Sequence, residues 1–233
     1  MKLPKESIPL ILFQRTAYGR KNFLFFLLTL VGHLGFLYRM SVSSKALLFP
    51  SQIKKEFLLD IEKEYEQMRS ILPLRAHSIL DIGCGVAGID VLLYDHYRPD
   101  VNIFLLDKTD IQSRIYYGMK ERGAFYNSLA ISRRVLEENG VPKSNIFTQE
   151  ATAHNDILFD GKFDIVLSLL SWGFHYPIAT YLIQVYERLA SGGMVIIDVR
   201  KDAEGVQEIE RLFGSYTVLD DKGSALRIYA RKK

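Results

Sequence analysis

Three spacings of apolar residues follow one another along this chain. Residues 22–38, NFLFFLLTLVGHLGFLY, form a nearly continuous apolar run without Asp, Glu, Lys or Arg. Residues 52–72 are rich in charge, yet Ile53, Phe57, Leu58 and Ile61 recur on one helical stripe, which predicts an amphipathic helix. From Ser78 onward, short apolar strands alternate with helical patterns, the signature of a mostly parallel sheet with crossover helices. Strands are predicted near 78–82, 101–106, 144–148, 163–168 and 193–199, and helices near 87–97, 127–139, 178–190 and 203–212. The ending differs. Two strand-like runs in YTVLDDKGSALRIYARK flank the turn Asp221-Lys222-Gly223 and predict an antiparallel hairpin. One connection, residues 107–127, is too long for a minimal crossover and rich in Tyr and Phe. It reads either as a substrate-binding lid or as a surface helix whose tyrosines pack on the core.

Composition narrows this picture. With 233 residues, 48% of them hydrophobic, the chain can bury one sizeable core plus an appended segment, read here as residues 1–75 leading into a main domain at 76–233. Thirty Lys and Arg against 27 acids give a formal charge of +3, far weaker than the basic stripe of a dedicated nucleic-acid binder. The single cysteine, Cys84, rules out an internal disulfide and a Cys-rich metal site, and no converging metal ligands can be placed, so no metal is expected and a reducing, cytoplasmic setting is. The run at 22–38 stands at the lower limit for crossing a bilayer, with basic residues at both ends and no small-residue cleavage site after it. Two readings stay open: a helix packed on the domain or on a second copy of the chain, as in a homodimer, or peripheral or spanning contact with a membrane.

The densest chemistry lies in SILDIGCGVAGID, residues 78–90. Gly83, Gly85 and Gly88 follow an apolar strand and open a helix, where a side chain would block approach of a ligand to the backbone and the helix N-terminus. Asp107 ends the second strand 19 residues after Gly88, where an acid can accept hydrogen bonds from both hydroxyls of a ribose. These facts fit NAD and S-adenosylmethionine equally. Asp81 separates them. Beside the loop, its carboxylate would repel a pyrophosphate and attract the ammonium of an amino-acid moiety.

At these residues the chain resembles the class I S-adenosylmethionine-dependent methyltransferases. The resemblance covers about 76–231, through LDIGCG, the acid ending strand two, FDIVLS, LASGGMVIIDV and the terminal hairpin. It implies an α/β three-layer sandwich with a seven-stranded, mostly parallel sheet ending in an antiparallel hairpin, preceded by an N-terminal helical extension. It also implies S-adenosylmethionine as cofactor, held by Asp81, Gly83, Cys84 and Gly85 on the methionine side and by Asp107 and Lys108 at the ribose. Glu150, Ala151 and Thr152 would lie beside the adenine, with Asp156 as a rival, and Ser168 would lie past the fourth strand. The family's commonest loop is G-x-G-x-G, whereas this chain has Ala87 at the third place and Gly88 after it.

Methyl transfer to a hydroxyl needs a positioned acceptor and a group to take its proton. His175, just past the fourth strand, is the candidate base by intrinsic pKa and place; the competing reading is a histidine held within a loop packed by Trp172 and Phe174. Trp172 and Tyr176 either stack on substrate or fill the core. His77 and His96 read as structural or solvated, and His154 as a polar contact near Asp156. Nothing resembles the Asn-Pro-Pro-Tyr motif of base N-methylating enzymes. The aromatic insert and residues 171–176 are similar to those of sugar methyltransferases, which implies O-methylation of a small hydroxylated or glycan-type substrate. RNA or protein methylation, and a cofactor-binding protein without catalysis, are the alternatives.

Overall fold

The computed structural model describes residues 1–15, 35–111, 126–201 and 204–233. The strand alternation predicted from the sequence builds a seven-stranded sheet. Its strands are β1 (Ser78–Ile82), β2 (Asn102–Asp107), β5 (Ile146–Glu150), β6 (Phe163–Ser168), β8 (Leu189–Arg200), β9 (Thr217–Lys222) and β10 (Ala225–Arg231), in the order β5-β2-β1-β6-β8-β10-β9. The first five are parallel, and β10 enters antiparallel between β8 and β9. The order reverses between β1 and β6, so the carboxyl ends of these strands open a crevice. Two short strands, β3 (Asp110–Ile111) and β4 (Tyr126–Asn127), pair with each other at the base of the long connection. The insert itself, 112–125, lies outside the described residues, and so do the lid and surface-helix readings of it.

Period-two alternation sends the two faces of β1 to different layers. Ile79 packs with α3 (Pro50–Arg69), α4 (Gly88–Tyr97) and α5 (Leu129–Glu138), whereas Leu80 and Ile82 pack with α6 (Leu182–Arg188) and α7 (Gly205–Phe213). Asp81 therefore points toward the α3/α4 layer. Ile53, Phe57 and Ile61 are buried, as their helical stripe requires. The same cluster takes in Ile8, Ile11 and Leu12 from α1 (Ser7–Gln14), so the N-terminal helices and the sheet share one core.

Two elements depart from the sequence-based expectation. The predicted helix 178–190 is shorter, a 3-10 turn at 178–180 followed by α6, because β8 starts at Leu189. An additional extended segment, β7 (Ser171–Tyr176), follows β6 after two residues. Leu170 makes that reversal in the left-handed region at φ +54°, and its N–H donates to Asp198 Oδ2 at 3.1 Å. Of the apolar run at 22–38, residues up to 34 lie outside the described residues; its end enters α2 (Gly35–Leu48). Among the described residues no helix is long and apolar enough to cross a membrane.

Candidate functional site

β1 delivers the chain to the crevice, and the loop 83–87 turns it into α4. Gly83 (φ +79°) and Gly85 (φ +53°) occupy conformations that strain any side chain. Ala87 occupies one too, at φ +58°, where the commonest pattern of the resembled family has glycine. The three fingerprint glycines serve different contacts. A Cβ on Gly83 would lie 1.8 Å from Ser171 Oγ, one on Gly85 2.7 Å from Gln14 Oε1, and one on Gly88 2.6 Å from Phe57 Cζ. Gly88 thus admits α3 against α4 rather than facing the crevice, which removes the third position of the dinucleotide reading.

Asp107 ends β2 beside the loop. Its Oδ2 accepts from Gly85 N–H at 2.9 Å and from Asn127 Nδ2 at 2.8 Å, and its Oδ1 accepts from Lys108 N–H at 2.7 Å. Burial pushes its pKa up to about 6, against these three donors, which lower it. Asn127 is a site residue that sequence reasoning missed. Its oxygen accepts from Gln14 Nε2 at 3.3 Å, so the end of α1 reaches the acid at the end of β2. Ser132 on α5 completes the knot, donating to Gly85 O at 2.6 Å. No local pattern marks Gln14 or Asn127; only chain packing brings them here.

Asp81 is 3% exposed and its Oδ1 has no hydrogen-bond partner among the described residues. Asp90, in the first turn of α4, is 0% exposed with neither carboxyl oxygen partnered. Burial and then the Asp90 charge push the Asp81 carboxyl well above the usual carboxylate range, and burial pushes Asp90 to about 7. Cys84 is buried beside them, its thiol held up by burial and by the charges of Asp107, Asp81 and Asp90, so it is a neutral packing residue.

The remaining predicted positions divide. Ala151 N–H donates to Asp107 O at 2.8 Å, which sets the loop after β5 beside the β2 acid. Thr152 Oγ1 accepts from Asp156 N–H at 3.0 Å, so these two close a small turn together, while Glu150 accepts from Thr109 N–H at 2.9 Å and His154 is exposed. Ser168 is corrected. Fully buried, its hydroxyl donates to Ile82 O at 2.7 Å and accepts from Trp172 N–H at 2.9 Å, so it ties β1, β6 and β7 together and has no face toward a ligand. Trp172 is core, fully buried with its indole N–H donating to Ile178 O at 2.7 Å. His77 and His96 are exposed, His96 bonded to Tyr65 Oη at 2.6 Å.

β7 lies along the crevice. Ser171 sits against Gly83, and burial raises the Tyr176 phenol, helped by Tyr181. His175 is half-buried, with its Nδ1 unpartnered among the described residues and its ring edge-on to Phe174 at 5.0 Å. Burial, then the Arg200 charge, lowers its pKa.

Solved structures share this architecture. Precorrin-6y C5,15-methyltransferase from Geobacter metallireducens GS-15 matches with a TM-score of 0.52 at 15% identity, over 74% of this chain and 88% of that one. The StiE O-MT, residues 961–1257, gives 0.54 at 12% identity over 81% of each chain. A candidate O-methyltransferase from Nostoc punctiforme PCC 73102 gives 0.51 at 16% identity, over 75% of this chain and 56% of that one, so the chain spans little more than half its length. The chain shares the fold of these solved methyltransferase structures. No sequence-family model and no curated protein matches the chain.

In this fold the residues present fit a cationic nucleoside better than a dinucleotide. The unpartnered oxygens of Asp81 and Asp90 suit an ammonium and would oppose a pyrophosphate. Asp107 Oδ1 accepts one hydrogen bond among those described and retains a second lone pair for a ribose hydroxyl, while Oδ2 is already engaged by Gly85 and Asn127. Among the described residues no group of three or more His, Cys, Asp or Glu could hold a metal ion.

Proposed function

We propose that the chain is an S-adenosylmethionine-dependent methyltransferase acting on oxygen of a small hydroxylated or glycan-type acceptor. One observation carries the cofactor reading: buried Asp81 beneath the glycine loop, with an unpartnered oxygen, at the turn neighbouring Asp107. Asp81 would hold the amino-acid ammonium, the backbone at Gly83–Gly85 the methionine arm, and Asp107 with Asn127 the ribose. The cofactor, when bound, would supply an electrophilic methyl group on a sulfonium. The chain's own part is to orient an acceptor and take its proton. His175, whose pKa is lowered by burial and then by the Arg200 charge, is the candidate to accept that proton.

The test is calorimetry with S-adenosylmethionine and with NAD, then an acceptor screen reading S-adenosylhomocysteine release. Binding of the first is expected; binding of NAD with no response to S-adenosylmethionine overturns the reading. For the base, His175→Ala is expected to lower turnover by about 10²-fold or more with cofactor affinity unchanged. Near-normal turnover in that variant removes His175 from the proton transfer.

A further inference from the structure

Asp81 and Asp90 face each other across the β1–α4 turn, and three of their four carboxyl oxygens find no partner among the described residues. As two bare carboxylates they would be buried, adjacent and mutually repulsive, a strongly disfavoured state. One proton resolves both defects, since the protonated partner can donate to the other; the two side chains are within hydrogen-bonding reach. The first turn of α4 favours negative charge on Asp90, which leaves the proton on Asp81.

The surroundings offer the pair little else. Asp107 on β2 and Glu64 on α3 add negative charge, Cys84 on the loop is a neutral thiol, and Tyr176 on β7 is a neutral phenol. The cations nearby are committed: Arg15, following α1, forms a two-pronged bond to Glu64 at 2.9 Å, and Arg227 on β10 holds Asp198 at 2.7 and 2.8 Å. With these two cations of the described residues engaged elsewhere, a ligand can supply the positive charge that the pair attracts.

We infer that Asp90 is a positioning residue of the ammonium site: Asp81 and Asp90 share one proton when no cation is bound and release it to solvent when an amino-acid ammonium enters beside Asp81. This rests on the cofactor reading above and deepens it. Asp90 acts through Asp81, holding its carboxyl in place and making ligand uptake proton-linked. Two charges then face the ammonium where the empty pair carried one.

Asp90→Asn tests this, because the amide can still donate to Asp81 while it cannot titrate. Full-length protein is titrated with S-adenosylhomocysteine in buffers of different ionisation enthalpy between about pH 7 and 7.5, at and just above the value of about 7 for Asp90, where the pair holds close to one proton. The wild type is expected to release about one proton more per ligand than Asp90→Asn, and to lose up to about tenfold in affinity per pH unit lowered, a dependence absent from the variant. Equal proton release in both overturns the proposal. Infrared spectra of the ligand-free wild type are the second readout: a protonated-carboxyl band persisting above pH 6 is expected, and its absence also overturns the proposal, whether or not the variant folds. Should neither protein bind S-adenosylhomocysteine while the band is present, the cofactor reading fails and the shared proton stands.

Discussion

Gly83 and Asp90 show how much a single residue carries in this loop. Gly83 is needed for its left-handed backbone and for the room that Ser171 takes, so Gly83→Ala meets both penalties at once. It is expected to lower stability by about 2 kcal/mol or more in urea unfolding, and to weaken S-adenosylhomocysteine binding as β7 shifts. Unchanged stability would mean that the Ser171 contact is easily relieved. The acids were legible to different degrees. Asp81 and Asp107 stand out in the sequence because a carboxylate ending an apolar strand has few reasons to be there. Asp90 does not, since an acid in the first turn of a helix reads as an ordinary response to the helix dipole. Ser168 misled in the opposite way: it sits at the right place in the chain, but β7 folds back at once and encloses it, while Trp172 takes the core-filling one of its two readings.

The amphipathic helix α3 was read correctly from its stripe, and its partner was not. Phe57 packs on Gly88 and lies 5.4 Å under the Arg15 guanidinium, so α3 is the floor on which the loop–helix turn rests. Arg15, Glu64, Arg227 and Asp198 then alternate in charge from the end of α1 to β8, with Arg227 and Glu64 3.9 Å apart. Asp198 also accepts from Leu170 N–H, which ties this line to the reversal that launches β7. Breaking a buried pair strands its partner, so such a line holds elements in register even where its net contribution to stability is small. Phe57→Ala is expected to cost about 3–5 kcal/mol in denaturant unfolding with a single transition, since the cavity opens between elements of one core. A first transition confined to the N-terminal helices would show instead that they unfold independently.

For the molecule as a whole, the buried acids set a pH dependence opposite to that of surface carboxylates. Asp81 is raised well above the ordinary value, Asp90 to about 7 and Asp107 to about 6, so each binds its proton more tightly folded than unfolded. Their contribution to stability is complete below about pH 4 and is lost as pH rises through about 7. In ligand-free protein the melting temperature is expected to be higher near pH 5.5 than near pH 8 by about 5 °C, and Asp90→Asn is expected to flatten that difference. A wild-type profile flat over this range removes the buried acids as its cause. The alternating layers, the parallel strands and the closing hairpin were legible in the sequence, because strand and helix periodicity and turn residues act over a few neighbours. So were the strand–glycine–helix turn and its two end-of-strand acids. Gln14 over Gly85, Asn127 on Asp107, Asp90 beneath Asp81 and the burial of Ser168 came only with the folded chain. Each joins residues that share no local pattern, and their proximity arises from how α1, α3 and β7 pack around the turn.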